Sequence, residues 1–421
     1  MKLKSILLLI AFVFCGVKVF YAGERKTEYV MLSPLDTTLL PSISDKDCGG
    51  NVVRSVLESD AIWHYTYNAL ARENFSYKSV YKMMVKMYRY THKHYVALPV
   101  AYWSQTPQGD SLLVSGKVYL PKNRDLNGII VANHYTMTAD AEVPSNMLSM
   151  ESIFTMKGYA VVMPDYVGYG LSRGETHPYL HWRSAAQTAV DLLNCMPELL
   201  DYYGYSYSRD VVVEGYSQGG AVALGVARMI EETFGNSSLI RDGVWTVRKV
   251  YAGAGPYDPA ATYLYSLERD TIGIPAAIPL IVLGLNSAYD LGLEEKDFFL
   301  EPLLSNYDEW VNSKKYPVGE ISKKMGSICM SELMPPVALD RNSPQAKMLY
   351  TALLWNSNVG YDLKSPAYFL HSLDDEVVPL INSLNLQAKM PDKSGKTYDF
   401  GSYGSHMEAS IPFMKYVYQD L

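Results

Sequence analysis

From Tyr95 onward the chain is a series of short apolar runs separated by turn residues. The first two lie in YVALPVAYWSQTPQGDSLLVSGKVYL (95–120), flank TPQGD and predict a β-hairpin. After them come GIIVANHY (128–135), AVVMPDYVGYG (160–170), VVVEGYS (211–217), KVYAGAG (249–255) and AYFLH (367–371). These runs are apolar throughout rather than alternating, the pattern of strands covered on both faces. Between them WRSAAQTAVDLLNCMPELLDYY and GGAVALGVARMIEETF carry helical periodicity. The alternation predicts an α/β fold: a mainly parallel central sheet flanked by helices, with function at the carboxyl ends of its strands.

Two regions depart from this rhythm. Residues 51–91 space aromatics and Met with few Gly or Pro, which predicts a helical N-terminal extension over 24–94. Between Asp258 and Lys364 about a hundred residues stand where one crossover helix would suffice, so 258–364 reads as a helical cap insertion. Pro275 and Pro279 are expected to break its most apolar part, IGIPAAIPLIVLGL. Such an insert either covers the site below it or packs as a small subdomain without touching substrate. The α/β domain is then divided into 95–257 and 365–421.

The amino end reads MKLK followed by SILLLIAFVFCGV, a basic patch and an apolar run of signal-peptide size. Residues 1–23 are therefore expected to direct export, making the protein secreted or periplasmic. A lipid anchor at Cys15 is the alternative, and the bulky Phe14 before it speaks against that. Membrane association is expected only through that leader or such an anchor. Composition narrows the partners further. A net charge of -7, without a dense basic run beyond the extreme amino end, gives no footprint for nucleic acid. Beyond the leader, Cys48, Cys195 and Cys329 lack zinc-site spacing, so no metal is expected. Cys195 sits in a helical stretch as a buried thiol, which leaves Cys48 and Cys329 as the pair for a single disulfide.

The chemistry concentrates in Gly215-Tyr216-Ser217-Gln218-Gly219, a GxSxG pattern placed after a predicted strand and before a predicted helix. A serine on so sharp a turn needs strained backbone angles, tolerable when the residues two before and two after lack side chains. The helix that follows aims free N–H groups and a positive dipole end at an oxygen developing charge. A serine hydroxyl needs a base, and the base an anion to fix its tautomer. In the order Ser, acid, His that accompanies this motif, His406 in GSYGSHMEAS is the histidine that fits. The loop after AYFLH offers Asp374, Asp375 and Glu376 as the acid. Asp165 is expected to brace a turn. His177 and His181 are expected to be structural, and Arg173, Tyr179 and Trp182 are candidates for a pocket rim.

GYSQGG, HSLDDEVVP and GSHMEAS resemble the three motif regions of the α/β-hydrolase superfamily. PDYVGYGLSRGETHPYL is similar, more narrowly, to the secreted lipases and esterases that carry a PDYxGxG…HPY stretch. The resemblance covers about residues 95–257 and 365–421, with the insertion in the family's cap position. It implies an α/β-hydrolase fold and a serine carboxylic ester hydrolase working through an acyl-enzyme without a cofactor. Its implied triad is Ser217, Asp375 and His406, with Asp375 preferred to Asp374 because the family acid stands a few residues before a hydrophobic-Pro pair. The oxyanion hole is implied to draw on Gln218 and, from the loop resembling the HG-x element, on Thr136 with Tyr135 beside it. Tyr135, Ser372 and Ser405 stand where the family commonly has glycine. The substrate implied is a small ester, with a hydrophobic acyl part favoured by the apolar insertion. A serine exopeptidase of the same fold, or a binding protein that kept the fold without catalysis, are the rival readings.

Overall fold

A computed structural model describes residues 30–31, 95–146, 149–234, 245–390 and 395–421. The expected leader, Cys15, Cys48 and most of the N-terminal extension lie outside the described residues. Within that extension, Val30–Met31 (β1) is a short strand, pairing in parallel with the next one, where a helix was expected. Pairing with an open sheet edge overrides local helical preference there.

The hairpin forms as anticipated, from Tyr95–Gln105 (β2) and Ser111–Pro121 (β3), paired antiparallel around the TPQGD turn. Then follow Gly128–Asn133 (β4), Tyr159–Pro164 (β5), Asp210–Tyr216 (β6), Thr246–Gly253 (β7), Ala367–Ser372 (β8) and Lys396–Gly401 (β9). The sheet order is β1-β2-β3-β5-β4-β6-β7-β8-β9. β3 meets β5 antiparallel, and every pairing from β5 to β9 is parallel. β4 lies between β5 and β6, so the chain reverses its direction of travel across the sheet at β4. The carboxyl ends of β4 and β6 open onto that switch point, where α/β sheets bind ligands.

The central strands are buried on both faces, which is why they lack polar alternation. On one face Ile129, Val131, Val211 and Val213 pack with Leu192, Leu193, Val222 and Leu224. Those partners come from Trp182–Tyr202 (α1) and Gln218–Phe234 (α2). The opposite face sets Ile130, Val161 and Val212 against Phe154, Phe413 and Val417.

Between β7 and β8 the chain builds Pro259–Arg269 (α3), Ala277–Tyr289 (α4), several short helical turns and Pro344–Trp355 (α5). Phe298, Phe299, Leu280, Leu285 and Leu353 close a hydrophobic cluster of this segment's own. α4 runs unbroken through Pro279, contrary to expectation. Pro279 is the third residue of the helix, where an N–H has no intrahelical partner to lose. Ile381–Lys389 (α6) and His406–Asp420 (α7) complete the fold. Among the described residues no helix is long and apolar enough to cross a membrane.

Candidate active site

β6 ends at Tyr216, and the next residue takes a left-handed conformation, with φ of 58° at Ser217. α2 begins at once with Gln218. The turn closes on backbone that leaves no space for side chains. A Cβ on Gly215 would stand 2.1 Å from the Gly219 carbonyl oxygen, and one on Gly219 would stand 1.9 Å from that of Asn133. The positive φ at a serine costs on the order of 1 kcal/mol or more. The Ser217 N–H, donating to the Gly253 carbonyl at 2.9 Å, anchors it to β7.

Ser217, His406 and Asp375 meet in one hydrogen-bonded line. His406 Nε2 stands 2.8 Å from Ser217 Oγ, and His406 Nδ1 stands 2.7 Å from Asp375 Oδ2. Facing a carboxylate, Nδ1 must carry the proton, which leaves the Nε2 lone pair to accept from the serine hydroxyl. Asp375 Oδ1 accepts the N–H groups of Val377 at 2.9 Å and Val378 at 2.8 Å. Burial opposes charge on Asp375, but hydrogen bonds from His371 and His406 outweigh it and hold the carboxyl well below the usual range. The neighbouring Asp374 is exposed.

Several further groups, whose role here is not legible in the sequence, fix this line. His371 Nε2 donates to the Val378 carbonyl at 2.8 Å and lies 3.4 Å from Asp375 Oδ2. Glu376 accepts the His406 N–H at 3.0 Å, and Tyr216 donates its hydroxyl to the His406 carbonyl at 2.7 Å. Ser372, flagged as a glycine replacement, donates to the Gly404 carbonyl at 2.6 Å and accepts the N–H of Tyr403 at 3.2 Å. Its hydroxyl therefore staples the loop of Asp375 to the loop of His406. Ser405 caps α7 in a reciprocal box with Glu408, which sets His406 on the first turn.

On the other side of Ser217 runs the loop after β4. The close approach of Gly219 to the Asn133 and His134 carbonyls brings this loop against the first turn of α2. Gln218 opens that turn, so its backbone N–H has no intrahelical acceptor. The His134 imidazole holds the Tyr135 carbonyl from Nδ1 at 2.7 Å. In a trans peptide the next N–H, that of Thr136, then points the opposite way. The Tyr135 side chain packs with Met137, Val143 and Tyr169. Thr136 is buried and shares a hydroxyl hydrogen bond with Tyr179 at 2.8 Å.

Asp165 accepts from the Ser115 hydroxyl at 2.6 Å and the Ser145 N–H at 2.8 Å, the turn-bracing arrangement expected of it. Burial raises its carboxyl to about 6 against those hydrogen bonds. His177 donates from Nδ1 to the Val167 carbonyl at 2.8 Å, and burial pushes it down to about 3. His181 packs edge-on against Tyr289, and burial lowers it to about 4. No metal-binding cluster forms among the described residues. Trp182 is core rather than rim: it lies against Gly225 of α2, between the Arg183 and Arg228 guanidiniums. Arg173 presents its carbonyl to Lys314 Nζ at 2.6 Å. Among the described residues Cys195 and Cys329 form no disulfide, and the partner expected for Cys329 lies outside them.

Sheet order, sharp serine turn and helical insertion together define an α/β-hydrolase fold. No family model and no curated protein matches the chain. Solved structures do. A presumed hydrolase from Legionella pneumophila is 20% identical with a TM-score of 0.68, over 77% of this chain and 88% of that one. The rice cell wall degrading esterase LipA from Xanthomonas oryzae is 20% identical with a TM-score of 0.63, over the same 77% and 88%. Candida antarctica lipase A is 15% identical with a TM-score of 0.55, covering 74% of this chain and 73% of that one. At these identities the likeness is one of fold.

Proposed function

We propose that the protein is an exported serine hydrolase of carboxylic esters. The observation that carries the reading is the continuous line from Ser217 Oγ through His406 to Asp375, at 2.8 Å and 2.7 Å. Ser217 attacks the acyl carbon while its proton passes to His406 Nε2. Asp375 stabilises the imidazolium that forms. The tetrahedral oxyanion takes N–H groups from Gln218 and Thr136, with Tyr135 shaping the loop between. Collapse expels the alcohol, which leaves with the proton from Nε2. Water then repeats the cycle on the acyl-enzyme, giving the acid and free Ser217. Two structural neighbours are named as an esterase and a lipase, which supports an ester over an amide. An apolar acyl group fits the insertion, where Ile281 and Leu283 of α4 remain only half-buried. Export rests on the basic and apolar leader.

The test is Ser217→Ala, assayed with p-nitrophenyl esters of graded acyl length beside aminoacyl-4-nitroanilides. Ester hydrolysis should fall by about six powers of ten in kcat. A variant that keeps near wild-type ester turnover, or a wild type that cleaves only the anilides, defeats the reading.

A further inference from the structure

The segment His177-Pro178-Tyr179 touches both sides of the proposed oxyanion hole at once. The Gln218 side-chain amide lies 3.1 Å from His177 Nε2. Since His177 Nδ1 must donate to the Val167 carbonyl, Nε2 is bare and the amide nitrogen of Gln218 is the donor. Two residues on, the Tyr179 hydroxyl joins that of Thr136 at 2.8 Å. All four side chains are buried, so these bonds are made away from competing water. The ends of the bridge belong to different parts of the fold, the loop after β4 and the start of α2, with no covalent link nearby.

We infer that His177 and Tyr179 are positioning residues, a brace that sets the spacing between the Thr136 and Gln218 backbone donors. This rests on the hydrolase reading above. The brace has a further support. A Cβ on Gly284 of α4 would stand 2.4 Å from the Tyr179 nitrogen and 2.8 Å from the His177 carbonyl oxygen. The insertion therefore seats on the back of the brace through a bare glycine. A shift of α4 would be felt by both donors, which couples the position of the insertion to the oxyanion hole.

Donors aimed at an oxyanion act on the tetrahedral species and little on bound ester, so a loosened brace should lower kcat and spare KM. Tyr179→Phe removes one oxygen, and His177→Leu removes the acceptor of Gln218. Each should reduce kcat on a p-nitrophenyl ester about tenfold, with KM within about twofold. Each should weaken a trifluoromethyl ketone inhibitor by the same factor as kcat, a readout that a loss of stability alone would not move. In a Thr136→Val background, which keeps the backbone donor, Tyr179→Phe should change kcat no further. Folded Tyr179→Phe and His177→Leu proteins with wild-type kcat, or full additivity of Tyr179→Phe with Thr136→Val, overturn the brace while leaving the hydrolase intact. Retained turnover in Ser217→Ala removes both.

Discussion

The turn at Ser217 and the insertion between β7 and β8 are built under opposite constraints. At the turn, glycines face backbone: a Cβ on Gly215, Gly219 or Gly220 would lie 2.1, 1.9 or 2.6 Å from a carbonyl oxygen. In the insertion, Gly292, Gly319 and Gly326 face nothing within 4 Å. Two glycines of the insertion region break that pattern. Gly284 rests on Tyr179, and a Cβ on Gly273 would stand 2.2 Å from the carbonyl oxygen of Glu376, beside Asp375. The insertion meets the loops of the proposed site through bare glycines, whereas its other glycines face open space. That difference separates glycines that no side chain can replace from glycines where one has room to stand.

Among the variants that probe this contrast, the largest effect expected lies in the acid loop. Asp375→Ala should lower kcat by about ten-thousandfold, while Asp374→Ala, one residue away and exposed, stays active in the same ester assay. Inactivation by Asp374→Ala instead would shift the acid by one position. Next comes the contrast between glycines. Gly219→Ala should cost about 3 kcal/mol of stability in urea unfolding, because carbonyl and Cβ cannot share that space. Gly319→Ala, exposed in a short helix, should be neutral or gain up to about 0.5 kcal/mol. Equal responses would erase the distinction between the two regions.

The smallest effect probes the seam itself, where His181 meets Tyr289 of α4. Burial, aided by Arg183, lowers its imidazole from 6.5 to about 4, so the unfolded chain takes up that proton first as pH falls. The stability tied to neutral His181 is complete above pH 6.5 and is lost between there and about 4. Relative to His181→Phe, which cannot titrate, the wild type should lose about 2–3 kcal/mol over that window. A pH-independent difference in urea midpoints would contradict the burial of His181 in that seam.

The sheet was readable because strands buried on both faces leave continuous apolar runs, and the turn because its steric demand falls on adjacent residues. Gly215, Ser217 and Gly219 carry their constraint within five positions of sequence. What joins distant segments left no such trace. His371 behind Asp375, the Ser372 staple and the His177–Tyr179 brace each depend on a partner supplied by folding. HPY was visible as a motif, yet nothing in its letters says that it faces Gln218 and Thr136. Pro279 misled for a related reason: a proline breaks a helix only beyond its first turn, and the start of α4 was not readable from the apolar run. The strand at Val30–Met31 owes its form to the edge of β2, long-range information absent from local propensity.

The central claim is that Ser217 is a nucleophile activated by His406, and active-site labelling addresses it without assuming a substrate. Treatment with a fluorophosphonate, followed by intact mass and peptide mapping, should give one adduct per chain, on Ser217, and none in Ser217→Ala. Labelling at another residue, or an unlabelled Ser217 in a protein that still hydrolyses esters, would contradict the account.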